Sequence, residues 1–492
     1  MNSGATLQGG ATLTAESASV TFASGSKYKL NVSAGEALRY TGAVSITGTL
    51  DLEIAQDQTL RGEALSIFEY VGTGTASEIR RDQFRLGEGN DVLYVDKGEL
   101  ANGNLKVYVA QRDFRDVPAD YHDGLDSLLD ILSVWARPEG GYLSDALSAE
   151  EYAIADALNR TSLGALGDEI TKLSPLGFAS MVTMPHAGFS ADASSLSGRL
   201  EQRLYDASSA IWVYAQDVEF FAQAQGSTVD NGSGSDAATF DYNTYGALVG
   251  ADVKFNKDVT AGVALAYDRG KAKLHDGGGK IDSDNVRATA FAGFLLNDYL
   301  ALNVGAQVGY AKFDTKRNTL VGTNKGDTDA WHGGVFADLV GAYALAAWGE
   351  TSRLDLLPHA GIAFSYYRTD KFEEKGSGSA LATDSFNAFS LEASVGAKLN
   401  YAFEIDGHGT RVGLDFSLIH EFLDDEVEID SWISDSKFST DARALSETTF
   451  SLAPSVSFDL TDKASVFLNY ELRLGTESEV AHRANLGFRY RY

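Results

Sequence analysis

Three polar side chains in the carboxyl-terminal half have the chemistry of a catalytic group. His332, His359 and Asp338 lie in segments that alternate polar and apolar residues, and a histidine beside a carboxylate can exchange protons with a substrate. If these segments form a barrel, the three residues are candidates for a hydrolase in its lumen. Such residues more often serve as hydrogen-bonding groups of a wet interior. We therefore expect no catalytic residue, no cofactor and no metal ligand, so that the chain is not an enzyme.

The sequence lacks the motifs of the common hydrolases and metal sites. His420-Glu421 is followed by Asp424 where a metalloprotease helix needs its second histidine, and Gly-x-Ser-x-Gly is absent. There is no cysteine, which excludes thiolate sites and disulfides. The acidic segment 424–435 could bind Ca²⁺, but it lacks the EF-hand spacing. We interpret it as a solvated acidic loop.

Composition and charge exclude further classes of function. The 492 residues contain 40 Lys and Arg against 69 Asp and Glu, which gives a formal charge of −29 and disfavours nucleic-acid binding. No continuous apolar run reaches the length of a membrane-spanning helix. The 50 Gly against 6 Pro, with 22 Tyr and 26 Phe, are typical of strands and turns. Residence in a membrane would therefore require a β-barrel.

The elements that would position the polar residues are long strands. From Ile211 onward polar and apolar residues alternate, which predicts strands whose successive side chains point to opposite faces. We predict twelve: Ile211–Ala224, Asp241–Phe255, Val259–Tyr267, Asn285–Leu296, Leu300–Lys312, Trp331–Ala346, Arg353–Tyr367, Ala388–Phe403, Arg411–Phe422, Thr448–Asp459, Ala464–Leu474 and Ala481–Tyr492. Each is long enough to cross the hydrocarbon core of a bilayer.

The connections between these strands alternate in length. Short turns include residues 256–258, 297–298, 406–409 and 461–463. Long polar connections are predicted at 225–239, 268–284, 314–328, 368–384 and 423–441, with a modest one at 475–480. Outer-membrane barrels have short periplasmic turns and longer outer loops, whereas a soluble sandwich has no reason to sort its loops. The alternation favours an all-β membrane protein, a twelve-stranded antiparallel barrel.

The faces of the predicted strands separate lipid from lumen. Charge on the lipid face costs several kcal/mol at midplane, so we assign the charged face to the lumen. The predicted lumen charges on the strands are Asp415, Glu471, Arg473, Arg489 and Arg491. Trp212, Tyr214, Trp331 and Trp348 lie near strand ends, where aromatic residues form interfacial girdles.

The final octapeptide, residues 485–492, has an aromatic face and a polar or cationic face. It resembles the carboxyl-terminal assembly signal of bacterial outer-membrane proteins, which reads polar, any, Gly, two of any, aromatic, any, aromatic. The residues that carry this resemblance are Asn485, Gly487, Phe488, Tyr490 and Tyr492. An exposed aromatic strand would be an aggregation hazard in a soluble protein. In a barrel it is the closing strand.

The chain before the barrel divides into a strand-rich part and a helical part. Residues 1–117 contain short strands separated by Gly, Asn, Asp and Ser, a pattern that suits a parallel β-helix or a sandwich. Residues 38–71 resemble the last coils of an autotransporter passenger, and this resemblance implies that 1–117 are a β-helix-like passenger end with a terminal cap. The period becomes helical in 118–189, which we assign to a linker. Residues 190–210 are predicted as a pore helix and 211–492 as the barrel. Arg199, Glu201 and Arg203 spread charge around the helix, which suits a water-filled pore.

This order of segments resembles the classical (type Va) autotransporters. The resemblance rests on the strand-rich passenger, the helix, the twelve strands and the terminal octapeptide. It implies a translocator that inserts in the bacterial outer membrane and exports and anchors its own passenger at the cell surface. The implied partners are outer-membrane lipid, the outer-membrane barrel assembly machinery and periplasmic chaperones, with no nucleic acid and a monomeric barrel.

Other functions remain open at the level of sequence. A porin or barrel enzyme with a periplasmic amino-terminal domain is one alternative, and a passenger that acts as a surface adhesin is another. Several autotransporter families cut the passenger at an Asn of the pore helix, but residues 187–210 contain no Asn. The start Met1–Gly4 lacks a signal segment, so we expect the chain to be the carboxyl-terminal portion of a longer precursor.

Overall fold

A computed structural model gives the fold. It describes residues 6–8, 12–13, 20–30, 37–41, 43–54, 65–73, 75–76, 80–86, 92–117, 119–136, 147–205, 217–232, 237–348, 352–476 and 478–492. The start of the predicted first strand, with Trp212 and Tyr214, and the end of the predicted pore helix fall in 206–216, outside the described residues.

The amino-terminal region is a stack of short strands. Their bounds are β1 Thr6–Gln8, β2 Thr12–Leu13, β3 Val20–Phe22, β4 Ser26–Leu30, β5 Leu38–Tyr40, β6 Val44–Ile46, β7 Leu50–Ile54, β8 Leu65–Tyr70, β9 Phe84–Leu86, β10 Leu93–Ala101 and β11 Asn104–Gln111. In the described residues, successive strands pair in parallel as β1-β4-β7-β9, β2-β5-β8 and β3-β6. The hairpin β10-β11 adds to β8 antiparallel.

Alternation explains how this stack builds a core. In β7, Leu50, Leu52 and Ile54 point inward and are buried, whereas Asp51 and Glu53 point outward. Phe68 of β8 is buried in the same core. The predicted β-helix-like passenger end is thus an arrangement of parallel strands mixed with an antiparallel hairpin, rather than a regular β-helix.

Within the described ranges, four α-helices follow: α1 Asp126–Ala136, α2 Ala149–Asn159, α3 Leu163–Leu173 and α4 Ser180–Tyr205. A capping box starts α2, because Ser148 Oγ accepts from the Glu151 N–H while the Glu151 carboxylate accepts from the Ser148 N–H. A 3₁₀ turn, Leu176–Ala179, leads into α4. None of the described helices combines the length and the hydropathy needed to cross a bilayer.

Helix α4 begins at Ser180, earlier than the pore helix predicted for residues 190–210. Met181 and Met184 are buried in its first turns. Small residues follow them, including Gly188, at which an added Cβ would lie 2.4 Å from Arg287 Nη1. A larger residue at this position would displace the Arg287 guanidinium, so Gly188 allows this close packing of the helix on the wall.

In the described residues, twelve antiparallel wall strands form a closed barrel. They are β12 Asp217–Asp230, β13 Phe240–Lys254, β14 Val259–Leu274, β15 Gly279–Asn297, β16 Leu300–Thr319, β17 Gly322–Gly341 continued by β18 Tyr343–Trp348, β19 Ser352–Thr369, β22 Phe386–Ile405, β23 His408–Glu421, β26 Thr448–Thr461, β27 Ala464–Gly475 and β28 Val480–Arg491. The first and last strands pair, with Gln223 opposite Gly487, which closes the barrel as predicted. Strands β17 and β18 both pair with β19, so this part of the wall is continuous although its own strand is interrupted at Ala342.

The barrel wall is apolar outside and polar inside. Val263, Leu265 and Val308 are 60–66% exposed on the outer face. Asp252 and Arg287 point inward and are 1% exposed. A continuous apolar band of this kind is unstable in water and suits a lipid bilayer.

The predicted long connections 268–284 and 314–328 are not loops. Strand β14 runs on to Leu274, and β16 runs on to Thr319, so the hairpins stand well beyond the apolar band. In these extensions the polarity of the two faces inverts. On β16, Phe313 is buried inward while Lys312 and Lys316 are exposed outward. In the sequence alone, this change of polarity is indistinguishable from the end of a strand, which is why loops were predicted here.

Two further long connections fold into a small sheet at the same end of the barrel. Its strands are β20 Phe372–Glu373, β21 Leu381–Thr383, β24 Glu426–Ile433 and β25 Ser436–Arg443, paired antiparallel in that order. Helices α1–α3 pack on this sheet and on the extended wall strands through one apolar cluster. The cluster includes Leu128, Leu132, Ile170, Phe372, Ile429 and Phe438. We call α1–α3 together with this sheet the outer cap.

Helix α2 lies between two cores. Ile154 and Leu158 belong to the cluster of the outer cap, whereas Ala155 belongs to the core of the amino-terminal stack. The stack and the outer cap are therefore packed on two neighbouring faces of one short helix.

Candidate functional site

The candidate site is the interface between α4 and the inner face of the barrel. Helix α4 packs mainly against β13–β17. Its outer half lies in the apolar cluster of the cap, and its inner half places Leu196 and Leu200 in a small apolar cluster of the lumen beside polar contacts. Phe189, for example, fills the space beside Gly334, where an added Cβ would lie 2.7 Å from its ring. The charged side chains of α4 must then find partners on the wall, because water is largely excluded from them.

A first contact group holds α4 near the outer end of the lumen. His186 Nε2 lies 3.3 Å from Glu392 Oε1, and His186 Nδ1 lies 3.1 Å from the hydroxyl of Tyr367. The Tyr367 ring stacks on that of His332, with centroids 5.8 Å apart.

Two arginines of the closing strands complete this group. Arg473 donates to Ser190 Oγ at 3.0 Å, and Arg483 donates to the Ala187 carbonyl at 3.4 Å. Glu471 lies between them, 2.7 Å from Arg473 Nε and 3.0 Å from Arg483 Nη1. The predicted lumen charges Glu471 and Arg473 thus contact each other, and Arg473 also contacts the helix.

The middle of α4 carries the most buried ion pair of the interface. Asp192 Oδ2 lies 2.7 Å from Arg287 Nε, and neither side chain is accessible to solvent. Arg287 also pairs with Asp268, while Gln307 and Gln225 donate to the Asp192 carboxylate at 3.0 Å and 3.3 Å. One guanidinium therefore balances two carboxylates, and the amides fill the remaining acceptor positions.

The inner end of α4 carries two arginines against two acids. Arg199 Nη2 lies 3.0 Å from Glu219 Oε1 and also pairs with Asp252. Arg203 Nε lies 2.9 Å from Asp252 Oδ1, and Arg203 Nη1 lies 3.4 Å from Glu219 Oε2. Lys254 donates to the Arg203 carbonyl at 3.0 Å. The group is close to neutral, which limits the cost of burying four charges.

The other predicted lumen charges lie on the opposite side of the helix. Glu201 pairs with Lys398 Nζ at 2.9 Å. Asp415 Oδ2 lies 3.0 Å from His359 Nε2, and Asp415 Oδ1 accepts from Ser417 at 2.6 Å. These side chains line a cavity of about 700 Å³ between α4 and the wall strands β19–β28.

The predicted charges of the last strand are divided between the lumen and its mouth. The Arg489 guanidinium carbon lies 4.5 Å from the centroid of the Phe467 ring. Arg491 is 44% exposed at the side chain and lies 3.5 Å from Glu219 Oε2. The structure therefore arranges the eight predicted charges in several contact groups along the lumen, not in one centre.

The terminal octapeptide forms most of β28. Asn485 points inward and donates to Ser195 Oγ of α4 at 3.3 Å. Gly487 leaves room for Phe467, since an added Cβ would lie 2.1 Å from its ring. The three aromatic side chains are exposed on the outer face: Phe488, Tyr490 and Tyr492.

The polar residues first considered for catalysis contact wall residues. His332 Nε2 lies 2.9 Å from Asn285 Oδ1, and His359 pairs with Asp415. Asp338 stands opposite Gly361 on the neighbouring strand. Among the described residues, no group of three or more His, Asp or Glu side chains is arranged to hold a metal ion.

Several residues of the interface were not predicted as site residues. Asp252, Arg287 and Gln307 lie at inward positions of predicted strands, so alternation alone would have placed them in the lumen. Asp268 was assigned to a loop because of its polarity. Asp192 carries no comparable signal, since a single acid in a helix of small residues is usually solvated.

Comparison with known proteins agrees with this architecture. The model of the "Autotransporter beta-domain" family matches residues 220–471. An "Extracellular serine protease" of Serratia marcescens is 24% identical over 266 residues, which are 53% of this chain and 25% of that protein. The chain thus spans about a quarter of the length of the curated relative it matches.

Similar solved structures include two autotransporter domains. The translocator domain of NalP from Neisseria meningitidis matches with a TM-score of 0.47 and 15% identity, over 62% of this chain and 98% of that one. The transport unit of AIDA-I from Escherichia coli matches with a TM-score of 0.40 and 13% identity, over 61% and 98%. The family model, however, covers just over half of the 492 residues. The chain therefore belongs to the autotransporter family, and its barrel is a translocator domain of the bacterial outer membrane, which is a transport barrel and not an enzyme.

Proposed function

We propose that the barrel exports the chain upstream of α4 through its lumen and then retains α4 as a plug and anchor. The observation that carries this proposal is the buried Asp192–Arg287 pair. A helix that only passed through the lumen would not need a carboxylate shielded from solvent and matched by a cation of the wall. Separating Asp192 from Arg287 would leave a buried charge without its counter-charge, which is strongly unfavourable. Helix α4 is therefore held in the lumen once it is seated.

The proposed division of the chain follows from this role. Residues 1–117 are the end of the passenger, 118–189 the linker, 190–210 the pore helix and 211–492 the translocator barrel. The short turns and both ends of the barrel lie at one end, which we assign to the periplasm. The linker and the passenger end then lie at the cell surface.

The outer cap supports this orientation. Arg317, at the outer end of β16, pairs with Glu374 at 2.6 Å and donates to the carbonyls of Lys172 and Ser379 at 2.7 Å. A buried cation at the carboxyl end of α3 also complements the helix dipole. The linker is therefore fastened to the outer loops, which suits a segment that reaches its position after leaving the lumen.

We propose that the barrel assembly machinery of the outer membrane and periplasmic chaperones receive the unfolded chain, and that the barrel is monomeric. The aromatic face of Phe488, Tyr490 and Tyr492 is the proposed recognition signal. None of the described side chains is proposed to be catalytic.

Two measurements test the proposal. Protease added to intact cells should cut residues 1–117, and protection of these residues until the outer membrane is opened would contradict the assigned orientation. In planar bilayers, the purified chain should conduct weakly, and deletion of 176–205 should raise the conductance several-fold. Equal conductance with and without the helix would exclude its role as a plug.

A further inference from the structure

Five lysines stand opposite one another on the outer face of the extended wall. They are Lys273 on β14, Lys280 on β15, Lys316 on β16, Lys325 on β17 and Lys375 in the connection after β20. Direct pairing joins Lys273 to Lys280, Lys280 to Lys316, Lys316 to Lys325 and Lys325 to Lys375. With strands about 4.8 Å apart, this lysine row extends over roughly 19 Å.

The lysine row is costly for the protein alone. Like charges directly opposite on neighbouring strands destabilise a sheet. Among the described residues, Lys280 is the only lysine of the row that forms an ion pair, and its partner is Asp282. The next outward residues toward the membrane include Asp282, Asp314 and Asp327, which stand opposite one another on β15, β16 and β17. In the described part of the chain, only Asp282 of these three forms an ion pair with the row. Four of the five ammonium groups of the row therefore have no ion-pair partner among the described residues, in a chain whose net charge is −29.

The height of the row above the membrane is fixed by an aromatic row on the same strands. Tyr267, Tyr310 and Trp331 precede or follow the lysines of their strands by six residues, on the same outer face. Aromatic residues of this kind mark the membrane interface. Six residues span about 20 Å along a strand, which is about 15 Å along the membrane normal at a tilt near 40°. The lysines thus lie beyond the phosphates of ordinary phospholipids.

We propose that the lysine row binds the phosphorylated or carboxylated sugars of a glycolipid in the outer leaflet that surrounds the barrel. Such sugars extend from the lipid surface, carry repeated negative charges, and are held next to the wall by their own acyl chains. Their anionic groups can bridge neighbouring lysines and so relieve the repulsion within the row. This contact would fasten the outer part of the barrel to the leaflet in addition to the apolar band.

The test compares the full chain with a variant of the row. The variant is K273Q/K316Q/K325Q/K375Q, and the control of equal charge is K106Q/K257Q/K437Q/K463Q, whose lysines are exposed elsewhere. Each protein is placed in phosphatidylcholine nanodiscs that contain lipopolysaccharide with its phosphorylated core sugars, lipid A alone, or neither. Binding is measured by titration with fluorescent lipopolysaccharide, and thermal unfolding is followed in parallel.

The expected result is specific to the row and to the sugars. The row variant should bind core-bearing lipopolysaccharide at least about tenfold more weakly than the unaltered chain, and the control should change less than about twofold. Core-bearing lipopolysaccharide should raise the unfolding temperature of the unaltered chain and of the control only. Without it, the row variant should be at least as stable as the unaltered chain, since repulsion has been removed.

Two outcomes would overturn the proposal. One is equal binding by the row variant and the control. The other is an equal effect of lipid A alone, because its phosphates lie at the height of the aromatic row rather than the lysine row. The folding measurement separates both outcomes from a simple failure of the variant to fold.

Discussion

Substitution of Arg287 gives the sharpest prediction for the plug. Arg287→Met would leave Asp192 and Asp268 buried without their shared cation. Loss of one partner of a buried ion pair costs about 3–5 kcal/mol. Protonation sets a similar limit, because neutralising an ordinary aspartic acid at pH 7 costs about 4 kcal/mol. The ratio of unseated to seated α4 should therefore rise by about a thousandfold.

The absence of cysteine from the sequence provides the assay. Ala191 lies on α4 and is 7% exposed, so Ala191→Cys introduces one thiol that is shielded while the helix is seated. The rate of its reaction with a maleimide then reports the unseated fraction. In the Arg287→Met background this rate should rise by about a thousandfold at pH 7. The matched control is Arg353→Met, whose pair with Asp355 is 40% exposed at the arginine and should change the rate less than about fivefold.

The pH dependence of this effect distinguishes charge from packing. If the cost arises from protonating a carboxyl, lowering the pH from 7 to 5 reduces it by about 2.7 kcal/mol for each proton taken up. The triple variant R287M/D192N/D268N should restore slow reaction at both pH values, since it leaves no unpaired charge. A rate for Arg287→Met that equals that of Arg353→Met, or that is independent of pH, would refute the reasoning.

Three other perturbations test the cap, the junction and the last strand. Arg317→Met leaves Glu374 buried without its cation, which costs about 3–5 kcal/mol, so residues 126–173 should become sensitive to trypsin on intact cells while the barrel keeps its heat-modifiable migration on gels. At the junction of the passenger end with α1, hydrogen bonds from Arg115 hold the pKa of the Asp113 carboxyl well below its usual range, and Ser133 of α1 also donates to it. The ionised Asp113 carboxylate therefore stabilises the junction above pH 4, and this stabilisation is lost as the pH falls toward the lowered pKa. Hydrogen exchange in α1 should accelerate below pH 4, and Asp113→Asn should abolish that dependence on pH. Deletion of Tyr490–Tyr492 should abolish membrane insertion but not synthesis, and normal insertion of the truncated chain would exclude the assembly signal.

The strands of the barrel were predictable because period-two alternation is imposed by lipid outside and water inside. Their outer ends were not, and the reason is physical. Beyond the membrane, the inner face meets the apolar outer cap and the outer face meets water, so the alternation continues with its polarity reversed. Phe313 and Lys316 on β16 show this reversal.

The lumen contacts were predictable only in part. Strand parity predicts that Asp415 and Glu471 point inward, but it says nothing of their partners. The partner of a lumen residue is set by the rotation and height of α4, which depend on small residues such as Gly188 and on the bulky Phe189. No local pattern encodes these two quantities, so the pairing of Asp192 with Arg287 required the three-dimensional arrangement.

The position of α2 between two cores has a mechanical consequence. Ala155 packs into the amino-terminal stack, while Ile154 and Leu158 pack into the outer cap. A force applied to the stack is therefore not transmitted through a flexible linker. Such a force acts first on the apolar contacts of α2, which couple the stack to the outer cap and the barrel wall. We therefore expect the stack to tilt and rotate together with the barrel as one rigid unit that extends away from the cell.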